Sequence, residues 1–267
     1  MPLSPLLNGY DQVLLDLDGC VWVGEEPTRD AAEAVAQLRS AQKQIAFITN
    51  DAQHTGEEYV RKLWSLGMRA SLAEVVTVGG AIQHVLAEGH PRGGTAYVIG
   101  SEAVFRHVAD AGLRIVNGTD LASRADVVVV AGHADLHFRD LRDAVQAVLA
   151  GARMIGAGRD RTYPTQGGLT PGTGAIVAAL EYATSRTAEI VGKPDPQVFL
   201  TALDRLGPGR ALAVGDRLDA DLAGAAAAGL DAAIVLTGVT TRAEAEAAHT
   251  PAPVAIAEDL AALVLAG

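Results

Sequence analysis

The chain has 267 residues, 49% of them hydrophobic, which is enough apolar material for a large core and for two domains. A formal net charge of -11 argues against nucleic acid or an anionic membrane as a partner, because long-range repulsion would oppose both encounters. The single cysteine, Cys20, excludes an internal disulfide bond and a thiolate-rich zinc site.

The first residues, MPLSPLLNGY, lack the basic segment that begins a secretion signal. No apolar run approaches the roughly 20 residues of a membrane-spanning helix, and Asp231 interrupts the Ala-rich stretch around 222–236. We therefore expect a cytoplasmic protein with no membrane partner.

Short apolar runs, each followed by a glycine or polar turn, recur along the chain. Amphipathic helical stretches lie between them, such as RDAAEAVAQLRSAQ, GEEYVRKLWSLG and HFRDLRDAVQAVLAGA. Apolar strands that alternate with helices predict βαβ units and a doubly wound, Rossmann-like α/β fold with a parallel sheet covered on both faces. The predicted strands are 13–15, 45–49, 96–100, 126–132, 211–216 and 232–238.

Polar residues follow four apolar segments at their carboxyl ends, where ligands bind in open α/β sheets. Each motif alone also fits an ordinary role as a turn, a helix start or a set of capping charges. Four of them in this order are hard to attribute to turns. The motifs are DLDG with Asp16 and Asp18, FITND with Thr49 and Asn50, VGKPDP with Lys193, and VGDRLDADL with Asp216, Asp219 and Asp221.

The order DxDG, T-N, K-P and GDxxxxD resembles the haloacid dehalogenase superfamily, whose members are mostly phosphatases with an aspartate nucleophile. The segments TPGTGAIVAALEYAT at 170–184, VGKPDPQVF and GDRLDADLAGAAAAGL are similar to its NagD-like, type IIA branch. The resemblance covers nearly the whole chain. It implies a phosphatase acting on a small phosphorylated metabolite, such as a sugar, polyol or nucleotide phosphate.

The resemblance and the demands of phosphoryl transfer together imply a catalytic set. Asp16 would attack phosphorus, and Asp18, two residues along the strand on the same face, would serve as acid and base. An oxygen cage from Asp16, the Asp18 carbonyl and Asp216 suits Mg²⁺. Thr49, Asn50 and Lys193 complete the predicted catalytic residues.

Three further residues are predicted to support this set. Asp221 is expected to orient Lys193 or a metal-bound water, and Gly215 belongs to the same strand-end motif. Arg217 either lies near the phosphate site or pairs with Asp219 or Asp221. Asp219 is expected to be a solvated acid on the first turn of a helix.

Three positions depart from the family pattern: Cys20 stands where Thr or Val is usual, Asp51 where Asn is usual, and Ala220 where Thr is usual. None of them changes the four main roles. We predict that a bulky thiol reagent inactivates the protein through Cys20 and that phosphate or vanadate slows this reaction. The alternative is a thiol buried beside carboxylates, which would be inert.

The interval between Thr49 and Lys193 far exceeds one or two βα crossovers of ~30 residues each, so a second domain is predicted within it. We assign 1–81 and 188–267 to a discontinuous core and 82–187 to an inserted α/β cap. The cap matches the large cap of the resembling branch, and a homodimer through it is one possible assembly. Its candidate substrate-facing residues are His133, Asp135, Arg159, Asp160 and Tyr163.

A pair of histidines and a pair of glycines also lie in the predicted cap. His133 and His137 are four residues apart after a strand, but two ligands without a third make a poor metal site. Gly172 and Gly174 are expected to permit a close backbone approach.

Three other functions compete with that of a phosphatase. A dehalogenase shares the aspartate nucleophile, but a halide leaves without a proton, so Asp18 argues against it. A phosphotransferase or mutase would keep Asp18 and change only the acceptor. A non-catalytic metabolite-binding regulatory protein would be expected to lack one of Asp16, Asp18, Lys193 or Asp216, and all four are present.

Overall fold

The structure is a computed structural model that describes residues 2–89, 93–132, 135–165 and 168–266. It divides into two compact units. The first comprises Met1–Thr49, Gly56–Val76 and Lys193–Gly267, and the second comprises Asn50–Thr55 and Thr77–Gly192.

Strands and helices alternate along both units, as the apolar periodicity predicts. In chain order the strands are β1 (Gln12–Asp16), β2 (Trp22–Val23), β3 (Glu26–Pro27), β4 (Gln44–Thr49), β5 (Val75–Thr77), β6 (Thr95–Ile99), β7 (Arg114–Ile115), β8 (Val127–Val130), β9 (Arg153–Gly156), β10 (Thr162–Thr165), β11 (Gly168–Pro171), β12 (Glu189–Ile190), β13 (Ala211–Gly215), β14 (Asp231–Val235) and β15 (Ala255–Ala257). The α-helices are α1 (Ala31–Ser40), α2 (Gly56–Ser65), α3 (Val78–Gly89), α4 (Glu102–Asp110), α5 (Phe138–Leu149), α6 (Thr173–Thr184), α7 (Gln197–Leu206), α8 (Ala223–Ala227), α9 (Arg242–Ala247) and α10 (Leu260–Val264).

The first unit is built on a six-stranded sheet in the order β15-β14-β13-β1-β4-β5. The pairings from β15 to β4 are all parallel, and every residue of β1 and β13 is buried. The chain runs from β1 outward through β4 and later returns through β13 on the other side of β1. The order of the strands therefore switches beside β1, which is where open α/β sheets bind ligands.

The second unit has its own five-stranded sheet, in the order β12-β9-β8-β6-β7, with parallel pairings throughout. Its core is a separate hydrophobic cluster that includes Val128, Val130, Met154 and Val177. The antiparallel hairpin β10-β11 was not predicted from the sequence. The predicted α/β class with a parallel sheet is confirmed by this architecture, and the parallel sheet of the second unit was not predicted.

The second unit begins before residue 82 and ends after residue 187, which are the limits predicted for the cap from the sequence. Helix α3 begins at Val78 within the second unit, and β12 pairs with β9, which carries that unit to Gly192. The start of α3 is hidden from sequence reading, because residues 75–82 form one apolar stretch interrupted by Thr77, Gly79 and Gly80. The short strand β12 is equally inconspicuous, since only two of its residues pair.

Gly172 and Gly174 lie against the backbone of the segment that enters the β10-β11 hairpin. The amide of Gly172 donates to the carbonyl of Arg161, and the amide of Gly174 donates to the carbonyl of Asp160. A Cβ at either glycine would overlap the backbone of Asp160 or Arg159. The predicted close backbone approach is therefore present, and it packs the start of α6 against this segment.

Across the part of the chain that the structure describes, no helix is both long enough and apolar enough to cross a membrane.

Candidate active site

The register of the first sheet brings the predicted residues to one edge. Asp16 is the last residue of β1 and pairs with Ile48, one residue before Thr49 at the end of β4. On the other side, Leu15 pairs with Val214, so that β13 ends beside β1 and presents Asp216. Because parallel strands end on the same side, three strand-end side chains converge at the point where the strand order switches.

Lys193 joins two of these carboxylates. Its ammonium donates to Oδ1 of Asp16 in a short contact and to Oδ1 of Asp221 at 2.7 Å. All three side chains are more than nine-tenths buried. A buried charge without partners would be very costly, so these ion pairs fix the positions of all three groups.

Asp221 is fully occupied by its partners. Its Oδ2 accepts hydrogen bonds from the backbone amides of Asp216, at 3.2 Å, and Arg217, at 3.0 Å, while its Oδ1 takes Lys193. Gly215 makes room for it, since a Cβ there would overlap the Asp221 carboxylate. The arrangement supports the expectation that Asp221 orients Lys193.

The buried cluster carries more negative than positive charge. Asp16, Asp216 and Asp221 face a single ammonium, so two negative charges are uncompensated when all groups are ionised. Burial raises the pKa of Asp16 to about 8; Lys193 opposes this shift, and Asp221 and Asp216 add to it. Burial alone would lower the pKa of Lys193, but Asp16 and Asp221 outweigh it and raise that pKa.

Asp216 is held with one oxygen bound and the other open. Its Oδ2 accepts from the amide of Val239 at 2.7 Å. Its Oδ1 is buried and has no hydrogen-bond partner among the described residues. The carboxylate lies between two glycines, because a Cβ on Gly19 would stand 2.5 Å from Asp216 Cγ and a Cβ on Gly238 would overlap it.

This donor set fits a divalent cation. Oxygen atoms of Asp16, Asp216 and Asp221 lie within 4.8 Å of one another, and the open Oδ1 of Asp216 is an unsatisfied buried acceptor. A doubly charged, hard cation would neutralise the excess charge and use oxygen ligands only, which is the preference of Mg²⁺. Asp221 belongs to the group by distance, but its bonds to Lys193 and the two amides leave Asp16 and Asp216 as the available carboxylates.

Asp18 lies in a turn after β1 and not within the strand, as strand alternation implied. Strand β1 ends at Asp16, and a tight turn follows in which the amides of Cys20, Val21 and Trp22 all donate to the carbonyl of Leu17. The in-strand explanation for Asp18 is therefore wrong. The turn instead leaves Asp18 exposed, with its Oδ1 accepting from the indole N–H of Trp22 at 2.8 Å.

A loop after β14 completes the support of the site and was missed in the sequence. The hydroxyl of Thr237 donates to the carbonyl of Gly19 at 2.5 Å, and the amides of Val239 and Thr240 donate to Asp216. The signal was present, because VLTG is another apolar strand that ends in a polar residue and a glycine. Trp22 was likewise visible in DLDGCVW but was given no role.

Thr49, Arg217 and Asp219 are the other predicted residues of the first unit. Thr49 is buried at the end of β4. Arg217 forms a two-point ion pair with the exposed Asp219, at 3.0 and 2.9 Å, which is one of the two roles that the sequence left open for it.

The second unit contains Asn50 and the candidate residues of the cap. The Asn50 side chain lies beside Gly192, where its Oδ1 would be 3.0 Å from an added Cβ. Arg159 pairs with Glu181 of α6 at 2.9 and 3.0 Å, and Asp160 is exposed. The Asp135 carbonyl lies 2.8 Å from Nδ1 of His137.

The structure describes only one residue of the histidine pair, His137. His137 is the N-cap residue of α5, where its amide donates to the Asp140 carboxylate at 2.8 Å. His133 lies outside the described residues, and so does the side chain of Tyr163.

Two family models match this chain. The model of the haloacid dehalogenase-like hydrolases matches residues 13–114, and a second, HAD-hydrolase-like model matches residues 190–263. Together they include Asp16, Asp18, Lys193, Asp216 and Asp221. The resemblance inferred from the motifs is therefore confirmed.

Similar proteins are phosphatases. D-glycerol 3-phosphate phosphatase of Mycobacterium tuberculosis is 39% identical over 90% of this chain, and the match spans 66% of that protein's length. The acid sugar phosphatase of Staphylococcus epidermidis is 31% identical over 92% of this chain and 93% of its own. A crystal structure of glycerol phosphate phosphatase from M. tuberculosis in complex with magnesium superposes with a TM-score of 0.88 and 38% identity, covering 98% of this chain and 78% of that one.

Cys20 gives a test of how closed this site is. The thiol is fully buried, and burial together with Asp16, Asp221 and Asp216 raises its pKa well above the usual value. This burial favours the inert alternative over the expected inactivation by a thiol reagent, so we predict that a charged disulfide reagent does not modify the native protein and reacts with one thiol per chain in denaturant. Rapid modification of the folded protein, followed by absorbance of the released thiolate and absent from Cys20→Ser, would contradict the described packing.

Proposed function

Because this chain belongs to the haloacid dehalogenase-like hydrolases, we propose that it is a Mg²⁺-dependent phosphatase of a small phosphorylated metabolite and that it works through an aspartyl phosphate on Asp16. The observation that carries the proposal is the buried cluster in which Lys193 pairs with Asp16 while Asp216 keeps an open oxygen. Such a cluster combines a nucleophile, a fixed positive charge and a cation site, which are the needs of phosphoryl transfer.

In the first step a carboxylate oxygen of Asp16 attacks phosphorus in line with the ester oxygen. The bond from phosphorus to that oxygen breaks, and Asp18 donates a proton to the leaving oxygen, which departs as an alcohol. Lys193 lies on Asp16 and supplies positive charge where the phosphoryl group arrives. The product is an aspartyl phosphate with Asp18 as a carboxylate.

In the second step Asp18 takes a proton from water, and the resulting nucleophile attacks phosphorus. The bond between phosphorus and the Asp16 oxygen breaks, which regenerates the Asp16 carboxylate and the protonated Asp18 and releases inorganic phosphate. Asp18 is exposed, so water reaches it without further movement of the first unit.

Asp16 and Asp216 would hold the Mg²⁺, with the Asp18 carbonyl as the third proposed protein ligand. When bound, the ion neutralises the excess negative charge of the cluster and that of the phosphoryl group. The glycines at 19 and 238 and the amide of Val239 keep the Asp216 carboxylate in place for it.

The substrate class follows from the chemistry and from the similar proteins. Glycerol phosphate and sugar phosphates are the proposed substrates, since two similar proteins are a D-glycerol 3-phosphate phosphatase and an acid sugar phosphatase. The second unit is the proposed source of discrimination among them, as the inserted cap domain. Transfer of the phosphoryl group to an acceptor other than water would use the same residues and is the second candidate function.

We also propose a location and an assembly for this protein. A cytoplasmic location is supported by a single, unpaired cysteine, which suits a reducing compartment. A homodimer through the second unit is supported by the exposure of two aromatic side chains on its helices, Phe138 of α5 at 83% and Tyr182 of α6 at 91%.

The first test removes the metal and the nucleophile separately. We predict that excess EDTA abolishes hydrolysis of an aryl phosphate and that added Mg²⁺ restores it. Asp16→Asn should lower turnover by at least about 10³-fold, the scale on which loss of a catalytic nucleophile acts. The exposed Asp219→Asn, which removes a carboxylate paired with Arg217, is the matched control and should stay within a few-fold of wild type. Full activity in EDTA, or near wild-type activity of Asp16→Asn, would refute the proposal.

The second test separates the two tasks of Asp18 by leaving group. An alkoxide needs a proton in order to leave, whereas a nitrophenolate does not, so we predict that Asp18→Asn still phosphorylates Asp16 from an aryl ester and then stalls. A burst followed by slow turnover should appear with the aryl ester, and turnover of glycerol phosphate should fall by ~10²- to 10⁴-fold. Rapid-quench release of the nitrophenol measures the burst, and release of inorganic phosphate measures the turnover of both substrates. Turnover of glycerol phosphate within a few-fold of wild type would remove Asp18 from the mechanism.

A further inference from the structure

We infer that Trp22 is a positioning residue that fixes the Asp18 carboxylate for proton transfer. The indole N–H occupies Oδ1 of Asp18, which leaves Oδ2 as the oxygen that gives and takes the proton. The inference rests on the proposed function, because it assumes the acid/base role of Asp18.

The contact joins a fully buried donor to an exposed acceptor. Trp22 has no exposed surface, and its Nε1 lies 2.8 Å from Oδ1 of Asp18. A buried indole N–H requires an acceptor, and Asp18 supplies it. Within the described residues, the Asp18 side chain has no other hydrogen bond, so nothing else selects its rotamer.

The ring itself is clamped in the first unit. Its face stacks on Tyr59, with ring centroids 6.1 Å apart and planes 7° from parallel, and the Lys62 ammonium stands 4.6 Å from the ring centre. Lys62 also donates to the carbonyl of Gly24 in the β2-β3 turn. A ring held by α2 cannot swing away, so the direction of its N–H is set.

The backbone adds a second constraint on the same pair. The amide of Trp22 donates to Leu17, and its carbonyl accepts from the amide of Gly19 at 2.7 Å, so both groups close the turn that contains Asp18. Gly19 has φ of +86°, a conformation that glycine adopts without strain. Main chain and side chain of Trp22 therefore hold Asp18 from two sides.

The chemistry explains why an indole is suited to this task. Indole nitrogen donates a hydrogen bond and cannot accept one, so it never competes for the transferred proton. A carboxylate with one oxygen bound this way cannot exchange its two oxygens by rotation without breaking the bond. The same oxygen, Oδ2, then faces the leaving group in the first step and water in the second.

The test removes the N–H and keeps an aromatic ring. We compare Trp22→Phe with Trp64→Phe, which deletes the chain's other indole, a 57% exposed side chain whose N–H donates to the carbonyl of Ala70. Single-turnover phosphorylation is followed with glycerol phosphate and with an aryl phosphate. For Trp22→Phe we expect a fall of about 10-fold or more with glycerol phosphate and of less than about 3-fold with the aryl ester, as part of the general-acid contribution is lost. Trp64→Phe should change neither rate.

A double-mutant cycle with Asp18→Asn distinguishes positioning from general damage. If Trp22 acts through Asp18, Trp22→Phe should have no further effect on the alkyl substrate in the Asp18→Asn background. Equal slowing of both substrates that persists in that background would overturn the inference and leave the proposed function intact. An Asp18→Asn protein with unchanged alkyl turnover would instead refute the proposed function and the inference with it.

A second variant guards against a misfolded Trp22→Phe protein. Benzothienylalanine placed at position 22 has the shape of tryptophan with sulfur in place of the N–H, so the stack on Tyr59 can remain. The same selective loss with the alkyl phosphate is expected from it. Wild-type alkyl phosphorylation by this variant would overturn the inference.

Discussion

The Lys193 ammonium, which is buried, makes the ion pairs around which the rest of the site is arranged. It is the only positive charge that contacts Asp16 and Asp221 among the described residues, and it bonds to both. Without it, three buried carboxylates would repel one another, and their convergence at the strand ends would be costly. One ammonium is still too little for full neutrality, which is why the cluster suits a divalent cation. The same charge balance that stabilises the fold here thus creates the binding site.

Glycines make this density of charge sterically possible. Gly215 clears space for Asp221, and Gly19 and Gly238 admit the Asp216 carboxylate between two loops. The loop after β14 then ties these parts together, since Thr237 bonds to Gly19 and Val239 bonds to Asp216. Loops that follow β1, β13 and β14 therefore form one hydrogen-bonded unit around the carboxylates.

The sequence predicted what depends on periodicity and strand order. Apolar runs indicated the class of the fold, and strand-end polarity placed Asp16 and Asp216 at one edge of the first sheet. Lys193 follows β12, which pairs in the second sheet, so its contact with Asp16 does not come from the strand order of the first sheet. Contacts that depend on turns could not be read in this way: strand alternation gave the wrong reason for Asp18, because the strand ends two residues earlier. The indole bond of Trp22 and the Thr237 hydroxyl join residues whose proximity only the folded backbone sets. The unit boundaries also escaped prediction, since the start of α3 and the two-residue strand β12 have no distinct apolar pattern.

Phosphorylation of Asp16 is the step on which the proposed mechanism depends, and the phosphorylated protein can be trapped chemically. Wild-type protein with Mg²⁺ is mixed with an aryl phosphate, quenched within the first turnover and reduced with borohydride, which converts an acyl phosphate to an alcohol. We expect homoserine at position 16 in the peptide mass spectrum, dependent on substrate and absent when Mg²⁺ is chelated. Reduction at a different carboxylate, or unmodified Asp16 in protein that releases phosphate in a burst, would contradict it.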